Sequence, residues 1–313
     1  MEYFWVSGVL LVVFGFLGLI GNVLNLTILF RPILRKDVTY QLLIMLSLFD
    51  TIYIFSYALD IGYYSMACRD SYKDPVELVA LRFQYIGLIG SIYTTVMISL
   101  ERCLVMNECL NWYSRKIWIY IIPIITITLG YNIPFLFDHE FYRDSNGTLH
   151  FIAKNWNDET YKYRYYGWSA IFVDDFIPLP IIIILNFFII KKIRLGPKNL
   201  VKRSEEKKHH RQEVTMMLLI VTFVFVMIRS LDLIFQILWF FGDNNENFRK
   251  KWMFLEPIND LMLMINSSIN FVIYCMVGTK FRVEFKQAYG CKFRDGVDGN
   301  TQKKRFHISI TCL

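Results

Sequence analysis

The chain has 313 residues, of which 55% are hydrophobic, 17% aromatic and only 19% charged. That balance excludes a disordered segment, a collagen, a soluble nucleic-acid binder and a disulfide-stapled secreted module. The formal net charge of +7 becomes informative only when the charges are placed along the chain.

Apolar runs of roughly 18 residues or more read as membrane helices, because about 20 residues cross a ~30 Å hydrocarbon layer. Tyr3 to Phe30 carries no charge, Val38 to Leu59 only Asp50, and Phe83 to Leu100 and Ile117 to Phe137 none. The fifth run, from Trp168 to Ile190, carries Asp174 and Asp175. The sixth, from Val214 to Phe241, carries Arg229 and Asp232, and the seventh, from Ile258 to Gly278, carries Asp260. With their flanks, these predict spans at about 4–30, 38–64, 77–106, 115–137, 168–194, 207–241 and 252–278, within one domain over residues 1–290. Phe281, Phe285 and Tyr289 then recur at spacing four, with Lys280, Arg282 and Lys286 between them. This predicts an amphipathic helix over 280–289 on the inner leaflet, followed by a disordered cytoplasmic tail, 291–313. The expected fold class is all-α, a seven-transmembrane helix bundle with a short amphipathic eighth helix, and the lipid bilayer is its first partner.

The connecting segments fall into two charge classes. Those expected inside hold 23 Lys/Arg against 9 Asp/Glu, and those expected outside hold 10 against 15. The asymmetry predicts an outer N-terminus and a cytoplasmic C-terminus. It also accounts for the basic balance without nucleic acid. The first run is too long, and lacks the basic start, for a cleaved signal peptide. Asn146, in the long outer loop, opens a glycosylation sequon, and Cys291 after the amphipathic helix is a palmitoylation candidate. Only Cys68 of the six cysteines is expected on the oxidising side. All five histidines fall in loops or the tail, so neither a metal site nor another cofactor is expected within the bundle.

Ionisable and amide groups within spans are costly in lipid and are expected to face the bundle interior. Asn22, Asp50, Ser91, Asn266 and Asn270 could converge on one polar cavity. Asn266 and Asn270, four apart, would share a helical face. The plainer alternative is interhelical hydrogen bonding. At the inner end of the third span, Glu101-Arg102 reads either as an interfacial ion pair or as a functional element.

Together these residues resemble the rhodopsin-like G-protein-coupled receptor family over essentially the whole chain. The matching pieces are Gly21-Asn22, Leu46-Ser-Leu-Phe-Asp50, Glu101-Arg102-Cys103, a fifth-span proline at Pro178 or Pro180, and Asn270-Phe-Val-Ile-Tyr274. Asn266 to Arg282, with Glu213 to Leu218, is similar to invertebrate FMRFamide and myosuppressin-type neuropeptide receptors. The resemblance implies an extracellular peptide ligand, a heterotrimeric G protein and an arrestin as partners. It makes Arg102 a switch held by Glu101, with Asn270 and Tyr274 supporting the active state. It also makes Asp50, Ser91, Asn266 and Asn270 a sodium pocket. Phe271 replaces the family's seventh-span proline, Leu231 its sixth-span proline, and Arg229 the tryptophan often found there. Arg229 has three candidate partners, Asp50, Asp232 and Asp260, and at Asp50 it would compete with sodium.

Negative evidence narrows the ligand. The seventh span has no lysine for a retinal Schiff base, and Gln84 stands where amine receptors keep an aspartate. Asp174, Asp175 and Asp260, with Asp232 nearby, are expected to receive the guanidinium of a short amidated peptide. Its ring would pack among Tyr85, Phe172 and Trp239. The plain alternatives are a solvated helix top for the aspartates and an interfacial belt for the aromatics. Three other readings compete: a chemosensory receptor for a small molecule, a transporter or channel, and an integral-membrane enzyme. No inverted repeat supports the second, and no catalytic constellation within a span supports the third.

Overall fold

The computed structural model describes residues 9–66, 75–107, 116–136, 139–143, 149–153, 167–195, 202–242 and 255–290. The apolar runs fold as α1 (Leu11–Leu29), α2 (Val38–Met66), α3 (Pro75–Met106), α4 (Trp118–Leu136), α5 (Pro178–Leu195), α6 (Lys202–Gly242), α7 (Leu255–Ser268) and α8 (Asn270–Val277). The helix α9 (Thr279–Tyr289) follows them. Helices α1 to α6 and the α7–α8 pair form the all-α seven-helix bundle that the apolar pattern calls for, with α9 as the amphipathic addition. One element was not anticipated. The segment between α4 and α5 contains an antiparallel hairpin of β1 (His139–Arg143) and β2 (Leu149–Ala153), with Phe141 opposite Phe151.

The bundle inverts the polarity of a water-soluble protein. Phe16, Phe55, Trp118, Phe187 and Phe223 are exposed on its outside, while Asn22, Asp50, Glu101, Arg102, Asp174, Asp175, Arg229 and Asp232 are buried within. Lipid solvates the former and cannot solvate the latter, so the polar groups must find one another. The helix α6, at 41 residues, is about 60 Å long and extends well beyond the hydrocarbon layer at its Lys/Arg-rich start.

Two irregularities shape the interior. Helices α7 and α8 meet at a 42° bend, although Phe271 stands where a proline would have produced one. The Ser268 hydroxyl donates to Met264 O at 2.7 Å, and Asn22 Nδ2 donates to Ser267 O at 2.9 Å. Side chains thus draw on the carbonyls at the break, a known cause of helix bending. The second irregularity precedes α5, where Ile171–Phe176 is a turn of π-helix closed by Ile177 N donating to Phe172 O at 2.9 Å. Pro178 has no N–H to return to the carbonyl of Asp174 four residues back. The carbonyls so released take side-chain donors from other helices: Tyr93 Oη reaches Val173 O at 3.0 Å, and Arg229 Nη2 reaches Asp174 O at 3.2 Å.

Candidate functional site

Three polar clusters lie along the bundle. At one end, Arg102 forms a two-pronged pair with Glu101, its Nε reaching Oε2 and its Nη2 reaching Oε1, both at 2.6 Å. Thr39 of α2, which the sequence reading did not single out, joins both. Arg102 Nη2 donates to its hydroxyl, which donates to the Glu101 carboxylate at 3.2 Å. All three residues are buried. A bidentate charge-assisted pair in this setting fixes the guanidinium plane. Tyr274 of α8 is fully buried, packs on Phe281 with ring centroids 5.6 Å apart, and leaves its hydroxyl without a hydrogen-bond partner.

Midway along the bundle, Asp50 is fully buried and shares its two oxygens between two helices. Ser91 Oγ donates to Oδ1 at 2.7 Å and Asn270 Nδ2 donates to Oδ2 at 2.8 Å. On the seventh span the hydroxyl beside Asp50 is that of Ser267, where the sequence had suggested Asn266. The bend between α7 and α8 breaks the single helical face that a spacing of four implies, so Asn266 makes no hydrogen bond with Asp50. Asn22 is buried here as well, but bonds to the Ser267 carbonyl rather than to the carboxylate.

At the other end, Arg229 does not approach Asp50. Its Nη1 pairs with Asp232 Oδ2 at 2.7 Å within α6, and its Nη2 pairs with Asp175 Oδ1 in the π-turn at 2.7 Å. Asp260 is not a partner and lies beside Tyr57 instead. Asp175 was unpredictable as a partner because it lies in another helix, whereas the Asp232 spacing of three was visible. Two amides complete the network. Gln236 Nε2 donates to Asp175 Oδ2 at 3.0 Å and to Asp232 Oδ2 at 2.9 Å, and Asn259 Nδ2 donates to Asp232 Oδ1 at 2.7 Å. Gln236, four residues after Asp232 on the same face, was legible in principle.

This network forms one wall of a cavity of about 320 Å³ lined by Tyr53, Gln84, Tyr85, Asp174, Asp232 and Asp260, among others. Asp174 and Asp175 are 3% and 0% exposed, which replaces the solvated helix top with buried acids. The π-turn is what brings consecutive residues to the interior together. They have different roles. Asp175 is taken by Arg229 and Gln236, while Asp174 lines the cavity with its Oδ1 unpartnered. Phe172 does not line the cavity. Displaced outward by the same turn, it is 44% exposed and packs against Trp168 and Phe176. The Trp239 side chain, Asn146 and Cys291 lie outside the described residues.

The helical architecture and these three polar clusters define a membrane receptor bundle, and comparison identifies its class. Residues 21–274 match the family model of the 7 transmembrane receptor (rhodopsin family), to which this chain belongs; the family is one of plasma-membrane, multi-pass receptors. Among individual proteins, the chain is similar to the "FMRFamide receptor" of Drosophila melanogaster, 30% identical over 298 residues, covering 89% of this chain and 53% of that protein. It is also similar to the "FMRFamide peptide receptor frpr-18" of Caenorhabditis elegans, 28% identical over 290 residues, covering 85% of this chain and 65% of that protein. The chain therefore spans between about half and two-thirds of the length of these relatives.

Proposed function

We propose that this protein is a G-protein-coupled receptor for a short amidated peptide of the FMRFamide kind. The 320 Å³ cavity faces the exterior and receives the peptide, while the Arg102 end faces the cytoplasm and meets a G protein and, after activation, an arrestin. The observation that supports this reading most is the Asp174 carboxylate, buried in the cavity wall with an unpartnered oxygen. A buried acid with an unpartnered oxygen, in a cavity that also carries Asp232 and Asp260, favours a cationic guest. The names carried by the two relatives point to the same ligand class. Charge asymmetry between the connecting segments supports an extracellular N-terminus and a cytoplasmic C-terminus.

In this reading, Tyr85 and Gln84 flank the peptide, Asp174 and Asp260 receive its guanidinium, and Asp232 acts through Arg229. Glu101 restrains Arg102 until the peptide binds, and Asn270 and Tyr274 rearrange with α8. Asp50, Ser91, Ser267 and Asn270 form a site of the right chemistry for sodium, and Arg229 does not compete for it. Asn146 carries glycan and Cys291 a palmitoyl chain.

The test is G-protein activation in cells expressing the chain, challenged with FMRFamide and a panel of other amidated peptides. Asp174→Asn, which keeps the shape and removes the charge, is expected to lower potency by about tenfold or more at unchanged surface display. Indifference to every peptide, or an unaltered response in Asp174→Asn, refutes the reading.

A further inference from the structure

Arg229 holds two helices with one planar group. Its Nη2 reaches across to the π-turn, to the Asp175 carboxylate and the Asp174 carbonyl, while its Nη1 stays on its own helix with Asp232. Gln236 duplicates this pattern, bridging Asp175 across the gap and Asp232 beside it. If α6 moves away from the π-turn, the bonds to Asp175 and Asp174 break, but Asp232 travels with the guanidinium. The cation is never stripped bare. The cost of separation falls instead on Asp175, which is fully buried beside the unpartnered Asp174. Two adjacent carboxylates without a counter-ion are strongly disfavoured in such surroundings.

We propose that Arg229 is a latch between α6 and the π-turn, carried by Asp232, and that a cationic group of the ligand opens it by replacing Arg229 as the counter-ion of Asp175. The inference rests on the receptor reading above and adds to it where the ligand's differential affinity comes from. A ligand shifts a two-state equilibrium only by interacting differently with the two states. Here the separated state offers the Asp175 carboxylate in addition to Asp174 and Asp260, and the latched state only the latter two. The ligand's cation therefore governs efficacy more than occupancy.

Substitutions on the two sides of the latch have opposite signs, which separates this device from a merely structural ion pair. Asp175→Asn removes the acceptor across the gap and is expected to raise ligand-independent nucleotide exchange on a G protein by about fivefold or more, the lower end of ordinary allosteric couplings. Gln236→Leu, an uncharged change that is easier to fold, raises it less. Asp232→Asn removes the carrier, leaves Arg229 dependent on Asp175, lowers that exchange and shifts FMRFamide response to higher concentration. FMRFamide with citrulline in place of arginine keeps much of its occupancy and loses most of its efficacy.

The same variants, purified in nanodiscs, carry a bimane on Met216→Cys, which reports α6 movement without ligand or G protein. Fluorescence shifts of opposite sign for Asp175→Asn and Asp232→Asn support the latch; same-sign or absent shifts overturn it. If the shifts are opposed but no peptide ever activates the wild type, the latch stands and the peptide reading falls.

Discussion

Gly87 on α3 lies against the backbone of α2, which leaves no room for a methyl group. A Cβ there would lie 2.5 Å from Tyr53 N, 2.8 Å from Tyr53 Cα and 2.9 Å from Phe49 O, all backbone atoms of α2. Comfortable carbon contacts begin near 3.5 Å, so α2 must retreat by about 1 Å, and a helix backbone cannot rotate aside as a side chain can. The retreat would also stretch the 2.7 Å bond from Ser91 to Asp50 one turn along. Overpacking of this kind costs about 1–3 kcal/mol, while replacing a mid-helix glycine by alanine returns about 0.8–1 kcal/mol. Gly87→Ala should therefore lose up to about 2 kcal/mol. Gly130 on α4 provides the control, since a Cβ there meets nothing within 4 Å, and Gly130→Ala should gain most of the propensity term. At about 2–4 °C per kcal/mol, Gly87→Ala should move the melting temperature down by up to about 8 °C and Gly130→Ala should move it up by about 1–3 °C. Thermal unfolding of purified receptor, followed by a dye that reacts with the half-buried Cys103 and Cys275 as they become exposed, measures both. Equal shifts, or the reverse order, would refute the reasoning.

Two further perturbations test the polar interior. Asp50→Ala strips Ser91 and Asn270 of their acceptor and, at about 1–3 kcal/mol per stranded buried group, should lower the same melting temperature well beyond Asp50→Asn, which keeps one acceptor oxygen; matching values for the two would show that the carboxylate is not the organising group. Arg31 pairs with the buried Glu284 at 3.0 Å and donates to its carbonyl at 2.7 Å, so Arg31→Ala should speed amide exchange over Thr279–Tyr289 about tenfold, for a local loss of about 1.4 kcal/mol, with α3 unaffected. Unchanged protection of α9 would mean that its aromatic contacts through Phe281 and Phe285 and the Thr27–Tyr289 hydroxyl pair dock it without Arg31.

Much of this molecule could be read from where charges are missing. Uncharged runs marked the helices because lipid tolerates little else, and spacing four marked α9 because an interfacial helix needs a wet face and a greasy one. Asp50, Ser91 and Asn270 were legible as a group because isolated polar residues in lipid-spanning helices have few other places to go. Local departures from α-helix were hidden. The bend at Ser268 needed knowledge of which carbonyls its own side chain and Asn22 would capture, and Asn266 was misassigned on the assumption of an unbroken face. Similarly, Asp175 became the partner of Arg229 only through the π-turn, which depends on contacts from α3 and α6 that lie far away in sequence.

That one widened turn has a practical consequence for comparing relatives. Counting backward from Pro178, any receptor with an ordinary α-turn there will present its acids about one position out of step, so that a residue matched to Asp174 by alignment would point to a different neighbour. Pocket residues above this proline must be matched by direction in space, and two sequences with the same paired aspartates can differ in which of them faces the cavity.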